Sequence, residues 1–130
     1  MQKKIKTLIF GKPEECKAVW ETLRNLECCL QHHHELCHVE DIEEFEIRLV
    51  DWEPTLAIIL ADGASGMESA FRSRQRRPCI PVFWFSDDRE FGMQSYRMDC
   101  AYFSTKPVTS EKIAHAIARC DHIGISYAAS

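Results

Sequence analysis

No apolar stretch in this sequence approaches the ~20 residues that a membrane-spanning helix requires. The opening Met-Gln-Lys-Lys-Ile-Lys leads into no signal-peptide core. Basic charge is also short: 16 Lys and Arg stand against 20 Asp and Glu, a formal net charge of -4. Such a surface cannot neutralise a run of phosphates, so direct nucleic-acid binding by this chain is not expected. Glycine is sparse, at 5 residues, and forms neither a Gly-x-Gly-x-x-Gly turn nor a Walker loop, which speaks against a nucleotide-binding enzyme. No Cys-x-x-Cys knuckle, internal repeat or low-complexity segment is present. The cysteines number 7, an odd count, and several sit in apolar patterns; they read as reduced, buried small hydrophobes rather than as a disulfide framework, and a cytoplasmic location is the expectation.

What is there suits one globular domain of 130 residues with 45% hydrophobic and 28% charged content. The most informative stretch is Leu56 to Ala61, an unbroken apolar run that ends on Asp62 and then Gly63, Ala64, Ser65 and Gly66. A run without alternation suits a strand buried on both faces of a parallel sheet. An Asp at its carboxyl end lies where open α/β sheets place their ligands.

The remaining segments alternate around it. Lys4 to Phe10 reads as a first strand, and Pro13 starts a helix whose stripe is Cys16, Val19, Trp20, Leu23, Leu26 and Leu30. Glu14 and Glu15 fall in its first turn, suiting the helix dipole. Leu36 to Val39 is a short strand, and Asp41 caps a helix through Phe45, Leu49 and Trp52. After Asp62 a helix over 67–75 should place Met67, Ala70, Phe71 and Arg74 on one side, and its arginines, Arg72, Arg74, Arg76 and Arg77, read as a solvated helix end rather than a phosphate-binding patch. Val82 to Phe85 is another apolar strand ending on Ser86; Asp87 and Asp88 open a helix carrying Phe91, Ser95, Tyr96 and Met98. Ala101 to Thr105 is the last strand, and Thr109 or Ser110 caps a helix with Ile113, Ala116, Ile117 and Cys120 inward. Strand and helix repeated in this way require parallel pairing with right-handed crossovers, and the length is too short for a barrel, so an open three-layer α/β sheet is expected.

Parallel pairing brings Asp62, Ser86 and Lys106 to one edge, beside Gly11 and Lys12. A carboxylate, a hydroxyl and an ammonium around one pocket suit a phosphoryl group: Asp62 as nucleophile, Ser86 as hydrogen-bond donor, Lys106 as charge. On these residues the chain resembles the receiver domains of two-component response regulators, from Lys4 to about Cys120. Asp62 matches the phosphoacceptor, followed by Gly66-Met67-Glu68 in place of a Gly-Met-Asp; Ser86 matches the Ser/Thr that ends the fourth strand. Lys106-Pro107 matches the lysine and its usually cis proline, and Phe103 the aromatic switch position. Residues 85–108 look most like receivers that precede LytTR-type DNA-binding domains.

The resemblance implies a flavodoxin-like (CheY-like) five-stranded parallel sheet of order 2-1-3-4-5, with a receiver over 1–123 and a tail or linker over 124–130. It implies no enzyme beyond phosphorylation and dephosphorylation of Asp62. Its partners would be a sensor histidine kinase or other phosphodonor, and an output domain, partner protein or second copy docked on the face of helix 4, strand 5 and helix 5. It implies Mg²⁺, but Gly11 and Lys12 stand where the family has two acidic residues. A hard cation would find only Asp62, a backbone carbonyl near Ala64, and water. Glu14 and Glu15 are expected not to fold back from the helix that Pro13 starts. Lys12 is the candidate substitute for the metal's charge, either paired with Asp62 or pointing to solvent. Two readings stay open: a phosphorylated receiver, or a phosphorylation-independent pseudo-receiver serving as an interaction or dimerisation module. Cys28, Cys29, His32, His33, His34, Cys37 and His38 raise zinc, but their spacing does not form a knuckle, and histidines on an exposed loop are the plainer reading.

Overall fold

The apolar strands assemble as one five-stranded parallel sheet of order β2-β1-β3-β4-β5 in a computed structural model that describes residues 4–26 and 33–122, with backbone alone at 121 and 122. The strands are β1 (Lys4–Phe10), β2 (His33–Val39), β3 (Leu56–Ile59), β4 (Val82–Ser86) and β5 (Tyr102–Thr105). The helices are α1 (Pro13–Asn25), α2 (Ile42–Asp51), α3 (Gly63–Arg76), α4 (Gly92–Arg97) and α5 (Ser110–His122), with a 3-10 turn at Arg89–Phe91 before α4. This is the order the sequence led to. The tail over 124–130 lies outside the described residues.

Alternation along each strand divides the core between two faces. Ile5 and Ile9, Leu56, Ile58 and Leu60, and Phe83 and Phe85 face α1 and α5, meeting Cys16, Val19, Leu23, Ile113, Ala116 and Ile117. Leu8 and Phe10, Ala57 and Ile59, and Val82 and Trp84 face the other way, against Phe45 and Leu49 of α2 and Ala70 of α3. Side chains buried on both faces make β3 and β4 read as continuous apolar runs, since neither face has to carry a polar residue to water.

Several local expectations change. β2 begins at His33, so His33 and His34 belong to a strand, not a loop, because the segment pairs with β1 from Lys4 onward. Helix α1 stops at Asn25, with Leu26 extended; position 30 lies outside the described residues. α3 starts at Gly63, not at 67, Gly63 supplying the positive φ of 60° at its first position. Its buried face is Gly66, Ser69, Ala70 and Ser73, while Phe71 is 43% exposed. Small residues win that face because α3 lies close on Trp84. A Cβ on Gly66 would fall 2.5 Å from the Ala61 carbonyl oxygen and 2.8 Å from Trp84 Nε1. The serine hydroxyls are satisfied within the helix, Ser69 donating to Gly66 O at 2.9 Å and Ser73 to Ser69 O at 2.8 Å.

The arginines at the end of α3 are partly exposed, as expected, and are also paired. Arg72 and Arg76 both reach Glu46 of α2, at 3.0 and 2.6 Å, Arg74 pairs with Asp99, and Arg77 donates to the Leu49 carbonyl at 3.2 Å. They clip α3 to α2 and to the turn after α4.

Replacing Gly66 with Ala is expected to lower unfolding stability by about 1–3 kcal/mol, since the backbone carbonyl cannot yield to the new methyl, and urea denaturation measures the loss. Glu46 gives a second expectation. The hydrogen bond from Arg76 holds its carboxyl below the ordinary carboxylate range. The stability it contributes is therefore present above that ordinary range and lost as pH falls through the depressed value. The Tm gap between the native protein and Glu46→Gln should close on acidification, and a gap unchanged down to strongly acidic pH would refute the role given to the pair.

Candidate functional site

The carboxyl ends of β1, β3 and β5 deliver the site. Leu60 to Asp62 continues β3, and the Leu60 N–H donates to the Phe10 carbonyl at 2.7 Å, locking it beside β1. At the end of β5, the Lys106 N–H donates to Ser86 O at 2.9 Å, and the Lys106–Pro107 bond is cis. Lys112 of α5 donates to the carbonyls of Thr105 and Pro107, at 2.6 and 2.9 Å, bracing the backbone on both sides of Lys106.

So held, the Lys106 ammonium donates to the Leu60 carbonyl at 2.6 Å and pairs with Asp62 Oδ1 at 2.8 Å and Glu15 Oε2 at 2.9 Å. Its side chain is 16% exposed, that of Asp62 40%. Burial alone would push the ammonium's pKa down, but hydrogen bonds to Asp62 and Glu15, with their charges, outweigh it and leave the group above the ordinary lysine value. Lys106 is thus a cation throughout the neutral range. Asp62 opens on its other side into a cleft of about 260 Å³ lined by Gly11, Lys12, Glu15, Glu40, Leu60 and Ser65 among others.

Asp62 and Lys106 are brought together, and Glu15 joins them against expectation. Pro13 takes the first position of α1, which makes Glu15 the third. Side chains on a helix lean toward its N-terminus, so a glutamate there reaches back over the strand ends. The proline start positions Glu15 in the cleft; the expectation that it would keep Glu15 away is corrected. That lean was the overlooked signal. Glu40, just after β2, also lines the cleft and carried no signal in the sequence.

Lys12, the exposed N-cap residue of α1, also lines the cleft, and Asp62 pairs with Lys106 instead. Ser86 ends β4 at the same edge but is buried, its hydroxyl accepting from the Asp88 N–H at 3.1 Å and lying 3.4 Å from Asp87 Oδ1. Phe103 is half-buried, its ring edge-on to Trp84 at 5.3 Å. Of the large side chains around α4 and β5, Phe91, Met98, Tyr102 and Phe103 pack on the core, whereas Tyr96 is 80% exposed, joined by Met93 at 61%.

The residues present do not fit the Mg²⁺ site that the resemblance implies. Gly11 admits no carboxylate, because a Cβ there would fall 2.7 Å from Leu60 Cβ. Its carbonyl accepts from His38 Nε2 at 2.8 Å. Asp62 and Glu15 already share Lys106, and Ala64 lies inside α3, its carbonyl committed to the helix ladder and aimed away from Asp62. Among the described residues, no three His, Cys, Asp or Glu side chains are grouped to hold a metal ion. For zinc, Cys28, Cys29 and His32 lie outside the described residues. His33 approaches Glu35 at 3.8 Å, His34 lies edge-on to Trp20, and burial, the main cause, raises the Cys37 thiol pKa. No described helix is long and apolar enough to cross a membrane.

No family model matches this chain, and no curated protein matches it. Solved structures do. The signal receiver domain of a modulated diguanylate cyclase from Desulfovibrio desulfuricans G20 superposes with a TM-score of 0.69 at 20% identity, covering 93% of this chain and 96% of that one. A CheY-like response regulator from Mesorhizobium loti gives 0.65 at 16% identity, with 89% and 98% covered. A protein described as a CpaE2 pilus assembly protein from Sinorhizobium meliloti 1021 gives 0.71 at 14% identity, with 89% and 99% covered. With the strand order and the Asp62–Lys106 pair, these likenesses give the chain the CheY-like receiver fold.

Proposed function

We propose that this chain is a receiver-type module of two-component signalling, with Asp62 at the phosphoacceptor position. The observation that carries the reading is the Lys106 ammonium 2.8 Å from Asp62 Oδ1 at the carboxyl edge of the sheet, with a cleft open on the carboxylate's exposed side. An Asp62 oxygen would attack the phosphorus of a phosphodonor in line, the donor's leaving group departing with the electrons of the broken bond. Lys106 would then pass from the carboxylate to a phosphoryl oxygen. Ser86 would turn toward the phosphoryl group by giving up its long 3.4 Å link to Asp87 and the 3.1 Å bond it accepts from the Asp88 N–H. The surface of α4, where Met93 and Tyr96 stand exposed, would be the face offered to a partner. The resemblance of residues 85–108 makes a LytTR-type output domain the expected recipient, and a histidine kinase the expected donor.

The second reading, a phosphorylation-independent module, is favoured by the acidic pair that is missing at Gly11 and Lys12 and by the steric bar at Gly11. The fold also serves a structure described as a pilus assembly protein. Phosphoryl transfer draws its rate from positioning and from neutralised charge, so a site with ammonium charge alone should react slowly.

Incubation with acetyl phosphate and Mg²⁺, read by intact-protein mass spectrometry, separates the two. Slow labelling of the native protein that disappears in Asp62→Asn supports the acceptor reading. A native protein that stays unlabelled as long as the Asp62→Asn control sinks it and leaves the phosphorylation-independent module.

A further inference from the structure

An ammonium has three donors and no acceptor, and the three groups around Lys106, the Leu60 carbonyl and the Asp62 and Glu15 carboxylates, use all of them. Asp62 alone would be enough to pair the lysine. The second carboxylate comes from a different element, α1, and its placement follows from the Pro13 start. Two carboxylates facing each other across one cation are the usual arrangement around a divalent ion. Here the position between them is taken by a side chain whose backbone is braced from α5. The β1 loop cannot supply a carboxylate at position 11, because Leu60 Cβ stands 2.7 Å from where its Cβ would be. The ammonium also retains its charge there, its pKa raised because the two carboxylates outweigh the burial that lowers it.

We propose that Glu15 is the positioning residue of this cleft: with Asp62 it clamps Lys106 as a built-in cation, in the place where a divalent metal ion would otherwise be recruited. The proposal rests on reading Asp62 as the acceptor position, and it extends that reading by assigning the site's resting charge to the protein itself. Glu15 acts through Lys106. Its charge, and not only its bulk, is what the arrangement uses: without it Lys106 is shared by one carboxylate, and without Lys106 the two carboxylates face each other unpaired across a cleft that also carries Glu40.

The test is cation binding, measured by Mn²⁺ titration with electron paramagnetic resonance on the full chain. The native protein should show no Asp62-dependent Mn²⁺ site. Lys106→Met should gain one Mn²⁺ per chain, at least about tenfold tighter than the native protein, because two carboxylates become free ligands. Adding Glu15→Gln should abolish the gain, whereas adding Glu14→Gln, which removes the same charge from the exposed neighbour, should leave it. Circular dichroism checks folding, and Lys106→Gln, which keeps a donor, serves if Lys106→Met does not fold. The proposal is overturned by Asp62-dependent Mn²⁺ binding to the native protein, by no gain in a folded Lys106 variant, or by a gain that survives Glu15→Gln or is lost with Glu14→Gln. A gain in Lys12→Met would transfer the role to Lys12 and overturn it equally. Labelling of Asp62 plays no part in this readout, so a failed phosphorylation assay and a failed cation titration are separate results.

Discussion

The ammonium of Lys106 is the interaction on which the functional edge of this fold depends. It joins the end of β5 to the end of β3 through the Leu60 carbonyl, to the β3–α3 junction through Asp62, and to the first turn of α1 through Glu15. An exposed ion pair contributes little, because water screens it and the side chains give up freedom. Lys106 differs in being largely enclosed and in having every donor used, so its loss would leave two carboxylates and a carbonyl facing each other. The same contact that closes the sheet's edge also sets the charge beside Asp62.

A second constraint runs through the core beneath it. Trp84 is wholly buried and meets three neighbours that matter: the bare backbone at Gly66, the ring of Phe91 at 5.5 Å and the ring of Phe103 at 5.3 Å. Its size explains why α3 presents glycine, serine and alanine inward. The first turns of α3, which follow Asp62, therefore rest on the same indole that packs against Phe103 of β5. The arginine clips to Glu46 and Asp99 fix α3 from its other end. Both faces of the sheet are close-packed around these side chains.

Much of this was legible in advance because it follows from local pattern. The two-sided burial of β3 and β4 wrote itself as apolar runs, the capping of α2 by Asp41 as an Asp before the helix, and the inner face of α5 as Ile113, Ala116, Ile117 and Cys120. What failed was read from the same patterns where neighbours in space outweighed them. Phe71 was grouped with Ala70 on one side of its helix, yet Ala70 is buried and Phe71 is 43% exposed, because the helix sets small side chains against Trp84. Four arginines looked simply solvated and are also paired, because Arg72 and Arg76 find Glu46 of α2, Arg74 finds Asp99, and Arg77 finds a carbonyl of α2.

The amino-acid sequence by itself determined the alternation of elements, hence the parallel sheet, and with it the convergence of Asp62, Ser86 and Lys106 on one edge. Strand ends in such a sheet have nowhere else to go. Which charges actually meet there was decided only by tertiary structure. Lys12 and Glu15 are three residues apart in the chain, yet one is exposed and the other enters the ion pair with Lys106. Helix geometry and the packing of α1 on the sheet choose between them, and a distance of a few ångströms separates a solvated charge from a clamped one.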